Sequence, residues 1–167
     1  MKKTYLLLCL AILAVASCKK DDSTKIEYTK LIVGSWKSTG KNTKVYDLNT
    51  DELLKDSTIN FTGKNAGSSW FEIYNTDGSS YVTTLPIAQQ GTLVARADTT
   101  SFLTYAILGN NLLLKQTNGG STTKPILALS NTTMDLQSTS SGVLTGNWGL
   151  DANATYKITV STHYTRQ

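Results

Sequence analysis

The sequence predicts an all-β domain of about eight to ten short strands, closed as an antiparallel up-and-down barrel or folded as a two-sheet sandwich. Thr, Ser, Gly and Asn dominate the connecting stretches, and proline occurs only at Pro86 and Pro125. No long segment repeats apolar residues at helical spacing. The last strand alternates cleanly. Tyr156, Ile158, Val160, Thr162 and Tyr164 point one way, while Lys157, Thr159, Ser161 and His163 point the other, the period of two that a half-buried strand requires. So many strands in succession exceed what a small open twisted sheet holds, and closure also removes reactive edges.

The chain begins with Lys2 and Lys3, continues through an apolar run from Tyr5 to Ala16, and then reaches the small residues Ala16 and Ser17. This is the layout of a secretory signal. The run is about a dozen residues, short of the roughly 20 that span a bilayer, so residues 1–17 are expected to be removed. Ala14-Val15-Ala16 fits ordinary secretory cleavage, whereas Val15-Ala16-Ser17-Cys18 resembles the lipobox of bacterial lipoproteins. The second reading also gives Cys18 a role. Cys9 leaves with the signal, and a lone thiol in an exported chain otherwise calls for explanation. The resemblance implies a multiply acylated Cys18, and more than one acyl chain makes anchoring stable. It places the protein on the cell envelope, at the outer membrane.

Residues 18–28 read as a charged flexible tether too poor in apolar side chains to pack. Lys20-Asp21-Asp22 looks like the short acidic surface-export signal of Bacteroidetes lipoproteins, and reads equally as a solvated linker.

Cleavage leaves 150 residues, one ordinary domain, assigned here to 29–167. Losing Lys2 and Lys3 takes the formal charge from +4 to +2. The remaining lysines are scattered, without the clustered basic footprint of a nucleic-acid binder, so no nucleic-acid partner is expected. With no cysteine left for a disulfide, stability must come from ladder hydrogen bonds and apolar packing.

Within the domain, strand-like runs occupy Leu31 to Thr39, Thr58 to Thr62, Ser69 to Tyr74, Tyr81 to Leu85 and Thr92 to Arg96. They continue at Ser101 to Leu108, Asn111 to Gln116, Pro125 to Ser130 and Thr132 to Gln137. Asp77-Gly78, Asn110-Asn111 and Asn118-Gly119-Gly120 can supply the positive-φ residues of tight hairpins. Val45 to Lys55 is open between a long hairpin and a short helical turn.

Leu31-Ile32-Val33-Gly34-Ser35-Trp36 resembles the first strand of lipocalin-like proteins, whose Gly-x-Trp sets a tryptophan at the closed end of a calycin-type barrel. Tyr105 to Leu114 and Ile126 to Leu136 are similar to the paired hairpins of lipocalin-like lipoproteins from Bacteroidetes, and the likeness covers most of residues 29 to 165. It implies that Gly34 and Trp36 close the barrel. The pattern departs from typical lipocalins in two ways. The arginine that packs over the first tryptophan has only Arg96 and the near-terminal Arg166 as candidates, and the Thr-Asp-Tyr signature is missing. Gly-x-Trp recurs at Gly146-Asn147-Trp148. Trp36, Trp70 and Trp148 read as core packing before they read as ligand contacts.

The chemistry-bearing inventory is thin, and no cofactor or metal is expected. His163 is the only histidine and sits opposite the apolar face of its strand; zinc or iron usually needs more nitrogen or sulfur ligands. Asp47 and Asp51 lack EF-hand spacing. No Gly-x-Ser-x-Gly elbow exposes a nucleophile. Glu72 and Asp77 could be paired carboxylates on paper, but residues near a hairpin are more often turn-forming or exposed. Catalysis is therefore not expected. The functional expectation is a barrel that binds a small hydrophobic or amphipathic ligand in its mouth. The alternative is a surface module for a glycan or an envelope protein, with Tyr46, Tyr74, Tyr81 and the tryptophans as candidate aromatic contacts.

Overall fold

In the computed structural model, which describes residues 28–84, 101–117, 119–144 and 148–167, a helical turn over 28–32 leads into nine strands. These are β1 (Gly34–Asp47), β2 (Leu53–Asn60), β3 (Phe71–Tyr74), β4 (Ser79–Thr83), β5 (Ser101–Leu108), β6 (Asn111–Gln116), β7 (Ser121–Leu129), β8 (Thr133–Val143) and β9 (Thr155–Arg166). Residues 1–17, Cys18, the tether up to residue 27, the run expected at 92–96, Pro86, Arg96, Asn118, Gly146 and Asn147 lie outside the described residues.

Every pairing is antiparallel, and the order runs β1-β3-β4-β5-β6-β7-β8-β9, with β1 returning to β9 to close an eight-stranded up-and-down barrel. The extra strand, β2, shares one edge of β1 with β3. Fourteen residues make β1 long enough for both: Gly34 to Lys37 pair with Tyr74 to Phe71, and Gly40 to Tyr46 pair with Asn60 to Leu53. Between them the chain loops out through a 3-10 turn at Gly63–Ser68. Ser38 anchors its return: its N–H donates to the Trp70 carbonyl at 2.9 Å, and its Oγ accepts from the Trp70 N–H at 2.8 Å.

Two local differences from the sequence reading, and the outcome of one segment it left open, have physical causes. Residues 31–33 are not strand, because their carbonyls are claimed elsewhere: Trp36 Nε1 donates to Ile32, and Arg166 donates to Val33 and Leu31. The open Val45 to Lys55 segment is the β1–β2 hairpin; the Asp47 carboxylate accepts the Asn49 and Thr50 N–H groups at 2.9 Å each, and Asp51 takes the left-handed conformation. The β5–β6 turn uses Gly109 (φ 59°), not Asn110 or Asn111, as its positive-φ residue, since glycine adopts that backbone without a Cβ clash.

Two apolar clusters result. The larger fills the barrel with Ile32, Trp36, Tyr74, Leu112, Met134, Leu136 and Tyr164 among others. The smaller gathers Val45, Leu144 and Tyr156, backed by Leu54, Trp148 and Ile158, where β1, β8 and β9 run past the barrel proper.

At the closed end Trp36 has no exposed surface, and the Arg166 guanidinium lies 4.4 Å from its ring centroid. Arg166 thus supplies the arginine-over-tryptophan contact for which the sequence offered no internal strand position. It reaches there because β1 and β9 register Trp36 against Arg166. Gly34 makes room: its φ is 139°, and a Cβ there would come within 2.6 Å of Arg166 Nη1. Gly34→Ala is expected to cost about 1–3 kcal/mol, from backbone strain and displaced guanidinium together. A thermal melt unchanged by the substitution would contradict this account of the floor.

Candidate functional site

The inward positions of the barrel are set by strand register. Trp36 opposes Glu72, Gly34 opposes Tyr74, and Ser38 opposes Tyr164, so these side chains share the interior. Glu72, 3% exposed, is held by four donors from three strands and the returning loop. The Tyr74 and Tyr164 hydroxyls donate at 2.5 and 2.6 Å, Lys124 Nζ at 3.1 Å, and Trp70 Nε1 at 3.4 Å. Burial alone would raise the Glu72 carboxyl, but the Lys124 charge and the hydrogen bonds from Tyr164, Tyr74 and Lys124 outweigh it and hold it below its ordinary value. Burial, then the Glu72 charge and hydrogen bond, push both tyrosines well above theirs.

A depressed carboxyl stabilises the fold fully above its unfolded value, here 4.5, and that stability is lost as pH falls through the lower folded value. The raised tyrosines act oppositely: their contribution is complete below 10.0 and is lost as pH rises through the folded values. Melting temperature is therefore expected to fall on both sides of this window, and Glu72→Gln should flatten the acid limb. An acid limb identical in the variant would remove Glu72 as its cause.

One interior gap among the described residues is tight. The void bounded by Glu72, Tyr74, Ser80, Leu103 and Leu114 does not admit a water molecule (about 0 Å³).

The outward positions of β1, β9 and β8 form a different surface. Register places Gly40 by His163, Asn42 by Ser161 and Tyr46 by Lys157, with Asp135, Gln137 and Thr139 across β9 from His163, Ser161 and Thr159. Two depressions lie on this face. One, of about 280 Å³, is bounded by Asn42, Thr58, Asn60, Leu127, Asp135 and His163. The other, of about 390 Å³, is bounded by Tyr46, Asp51, Gln137, Thr139, Lys157 and Thr159. Between them, Gln137 Nε2 of the second donates to Ser161 Oγ of the first at 3.3 Å. Between Lys157 and His163, six residues of strand give the groove a length of about 20 Å.

The ionised side chains here are largely tied to one another. Lys157 Nζ meets Asp51 at 2.8 Å and lies 5.5 Å from the Tyr46 ring centroid. Lys44 meets Asp56 at 3.8 Å, and His163 Nδ1 bonds Asp135. Asn42 Nδ2 donates to Asp56 at 2.5 Å and to Thr58 Oγ1 at 3.0 Å.

The residues named from sequence therefore part company. Tyr74 is interior and Tyr46 borders the groove, while Trp70 and Trp148 pack against the two apolar clusters. Glu72 is enclosed, whereas Asp77 holds the β3–β4 turn by accepting from Ser79 N at 2.9 Å and Ser79 Oγ at 2.6 Å, so the two do not form a catalytic pair. The Glu72 cluster went unseen in the sequence. Its signal was a carboxylate inside the unbroken apolar and aromatic run Trp70 to Tyr74, all four residues of whose strand are buried.

No protein-family model matches the chain, and no curated protein is significantly similar to it. By architecture the domain is an antiparallel up-and-down β-barrel of lipocalin-like type, a fold compatible with ligand binding.

Proposed function

We propose that the protein is an exported lipoprotein, held on the outer membrane through lipid on Cys18, whose barrel is a rigid mount and whose outer groove is the recognition surface. The lipobox-like Val15-Ala16-Ser17-Cys18 supports the anchor, and Lys20-Asp21-Asp22 supports display on the cell surface. The observation that carries the recognition reading is a contrast of two faces. The interior is occupied by Trp36, Tyr74, Tyr164 and their apolar neighbours, while the outer face of β1, β9 and β8 holds the open depressions. The role is binding without catalysis: Glu72, the buried carboxylate, is already engaged by four donors and shut away from the groove.

A guest inside the barrel is the second reading. It is favoured by Ser80 Oγ, which is buried against the Glu72 void with no hydrogen-bond partner among the described residues. Native mass spectrometry of the chain, purified from its producing cell, separates the two. The outer-groove reading expects the mass of the acylated chain alone, with diacylglyceryl-type heterogeneity at Cys18. A stoichiometric apolar guest that leaves on denaturation would overturn it in favour of the interior, and an unmodified Cys18 would overturn the anchor.

A further inference from the structure

We infer that the groove takes an extended, uncharged glycan chain, with the Tyr46 ring as the platform for one sugar and the side chains of Asn42, Asn60, Gln137 and Ser161 reaching sugar hydroxyls along the rest. The inference rests on the outward-facing reading above and names its ligand.

Charge is the first argument. Lys157, Lys44 and His163 are each joined to a carboxylate, Asp51, Asp56 and Asp135 respectively. A phosphate-bearing or strongly acidic polymer is held by several cations free to neutralise it; these three are already engaged, which leaves Lys41, also lining the depression beside His163, as a single cation without an ion pair among the described residues. Hydrogen-bonding character is the second. Thr58, Thr139 and Thr159 carry hydroxyls that both donate and accept, Asn60 carries an amide that does the same, and Asn42 and Gln137, whose amide nitrogens already donate to Asp56 and Thr58 and to Ser161, offer their carbonyl oxygens. A sugar hydroxyl also does both, so such a surface can meet a polyhydroxylated chain at many points without desolvating a charge.

Shape is the third. The two depressions lie in line along β9, spanning about 20 Å between Lys157 and His163, a spacing suited to a linear chain of several sugars. Tyr46 borders the end away from His163, and an aromatic ring offers an apolar face with a polar edge. A protein partner would call for a central apolar anchor ringed by polar groups. The large aliphatic side chain among these lining residues is Leu127, and it lies at one end, beside Asp135 and His163.

The test is calorimetric titration of the purified full chain, in detergent, with the envelope polysaccharide of the producing cell separated into neutral and acidic fractions. The neutral fraction is expected to bind, and Tyr46→Ala and Asn42→Ala should each weaken it about tenfold. Tyr46→Phe, which keeps the ring, should retain binding and guards against a folding artefact. Thr104→Ala, exposed on β5 across the barrel, should leave affinity unchanged. Preference for the acidic fraction, abolished by salt, would overturn the inference, as would neutral binding indifferent to both groove variants. No glycan binding at all, with groove variants instead abolishing cross-linking to a specific envelope protein, would overturn the glycan while leaving the outer-face reading in place.

Discussion

Glu72→Ala is expected to destabilise the domain by about 3–5 kcal/mol, the cost typical of removing one partner from a buried ion pair. The substitution strands the Lys124 ammonium, 21% exposed, against a wall that no longer carries a negative charge. It also takes the acceptor from two tyrosine hydroxyls with almost no exposed surface, Tyr74 and Tyr164. Within that total, each orphaned hydroxyl accounts for about 1 kcal/mol or more where water cannot replace the carboxylate. Lys124→Met leaves the reverse problem, a buried carboxylate with neutral donors only; without the Lys124 charge the Glu72 carboxyl rises, so the variant's cost should be greatest at neutral pH and shrink as pH falls, flattening the acid limb. Because the residues act as a unit, Glu72→Gln combined with Lys124→Met should cost less than the sum of the single changes. Urea denaturation of the four proteins measures this coupling, and strict additivity would mean the cluster is not a unit.

Trp36→Ala should cost a similar amount, about 3–5 kcal/mol, as expected for truncating a fully buried large aromatic. Three losses coincide. The cavity falls within the larger apolar cluster, the Ile32 carbonyl loses its 2.7 Å donor, and Arg166 loses the ring beneath it. The helical turn over 28–32 hangs from these same contacts, with Arg166 also bonded to the carbonyls of Leu31 and Val33. Amide exchange over residues 28–33 should therefore accelerate more than exchange in β5 and β6. Trp36→Phe, which fills most of the space but has no N–H to donate, should cost nearer about 1 kcal/mol. Equal costs for the two variants would show that the Ile32 bond, lost in both, and not packing, holds the floor.

The strands were most readable where one face is apolar and the other polar. β9 alternates Tyr156, Ile158, Val160 against Lys157, Thr159, Ser161, and β5 and β6 run between the bounds that their Leu and Ile pattern suggests. Alternation is a direct imprint of one-sided burial. Where strands are polar on both faces the imprint fades: β8 extends to Val143 through Ser138, Thr139, Ser140 and Ser141, which pair with β9 without any hydrophobic alternation to announce it. The same blindness hid the β2 strand apart from its last residues, because its side chains lie mostly exposed on an edge.

The floor and the groove both depend on long-range register, which no local pattern encodes. Arg166 sits at the chain's end yet covers Trp36, because the β1–β9 pairing brings together residues separated by most of the domain. Glu72 meets Lys124 across the barrel and Tyr164 from the last strand in the same way. His163 was legible as facing away from the core, but its partner Asp135 and the groove they border emerge only once β8 and β9 are aligned.

Chemical-shift mapping of the isotope-labelled chain, titrated with the neutral envelope polysaccharide, tests the central claim most directly. Recognition through the outer face predicts perturbations concentrated at Asn42, Tyr46, Gln137, Thr159 and Ser161, with the inward-facing Tyr74, Leu112 and Met134 unmoved. Perturbations centred on those interior residues, with the groove silent, would contradict it and return the function to the inside of the barrel.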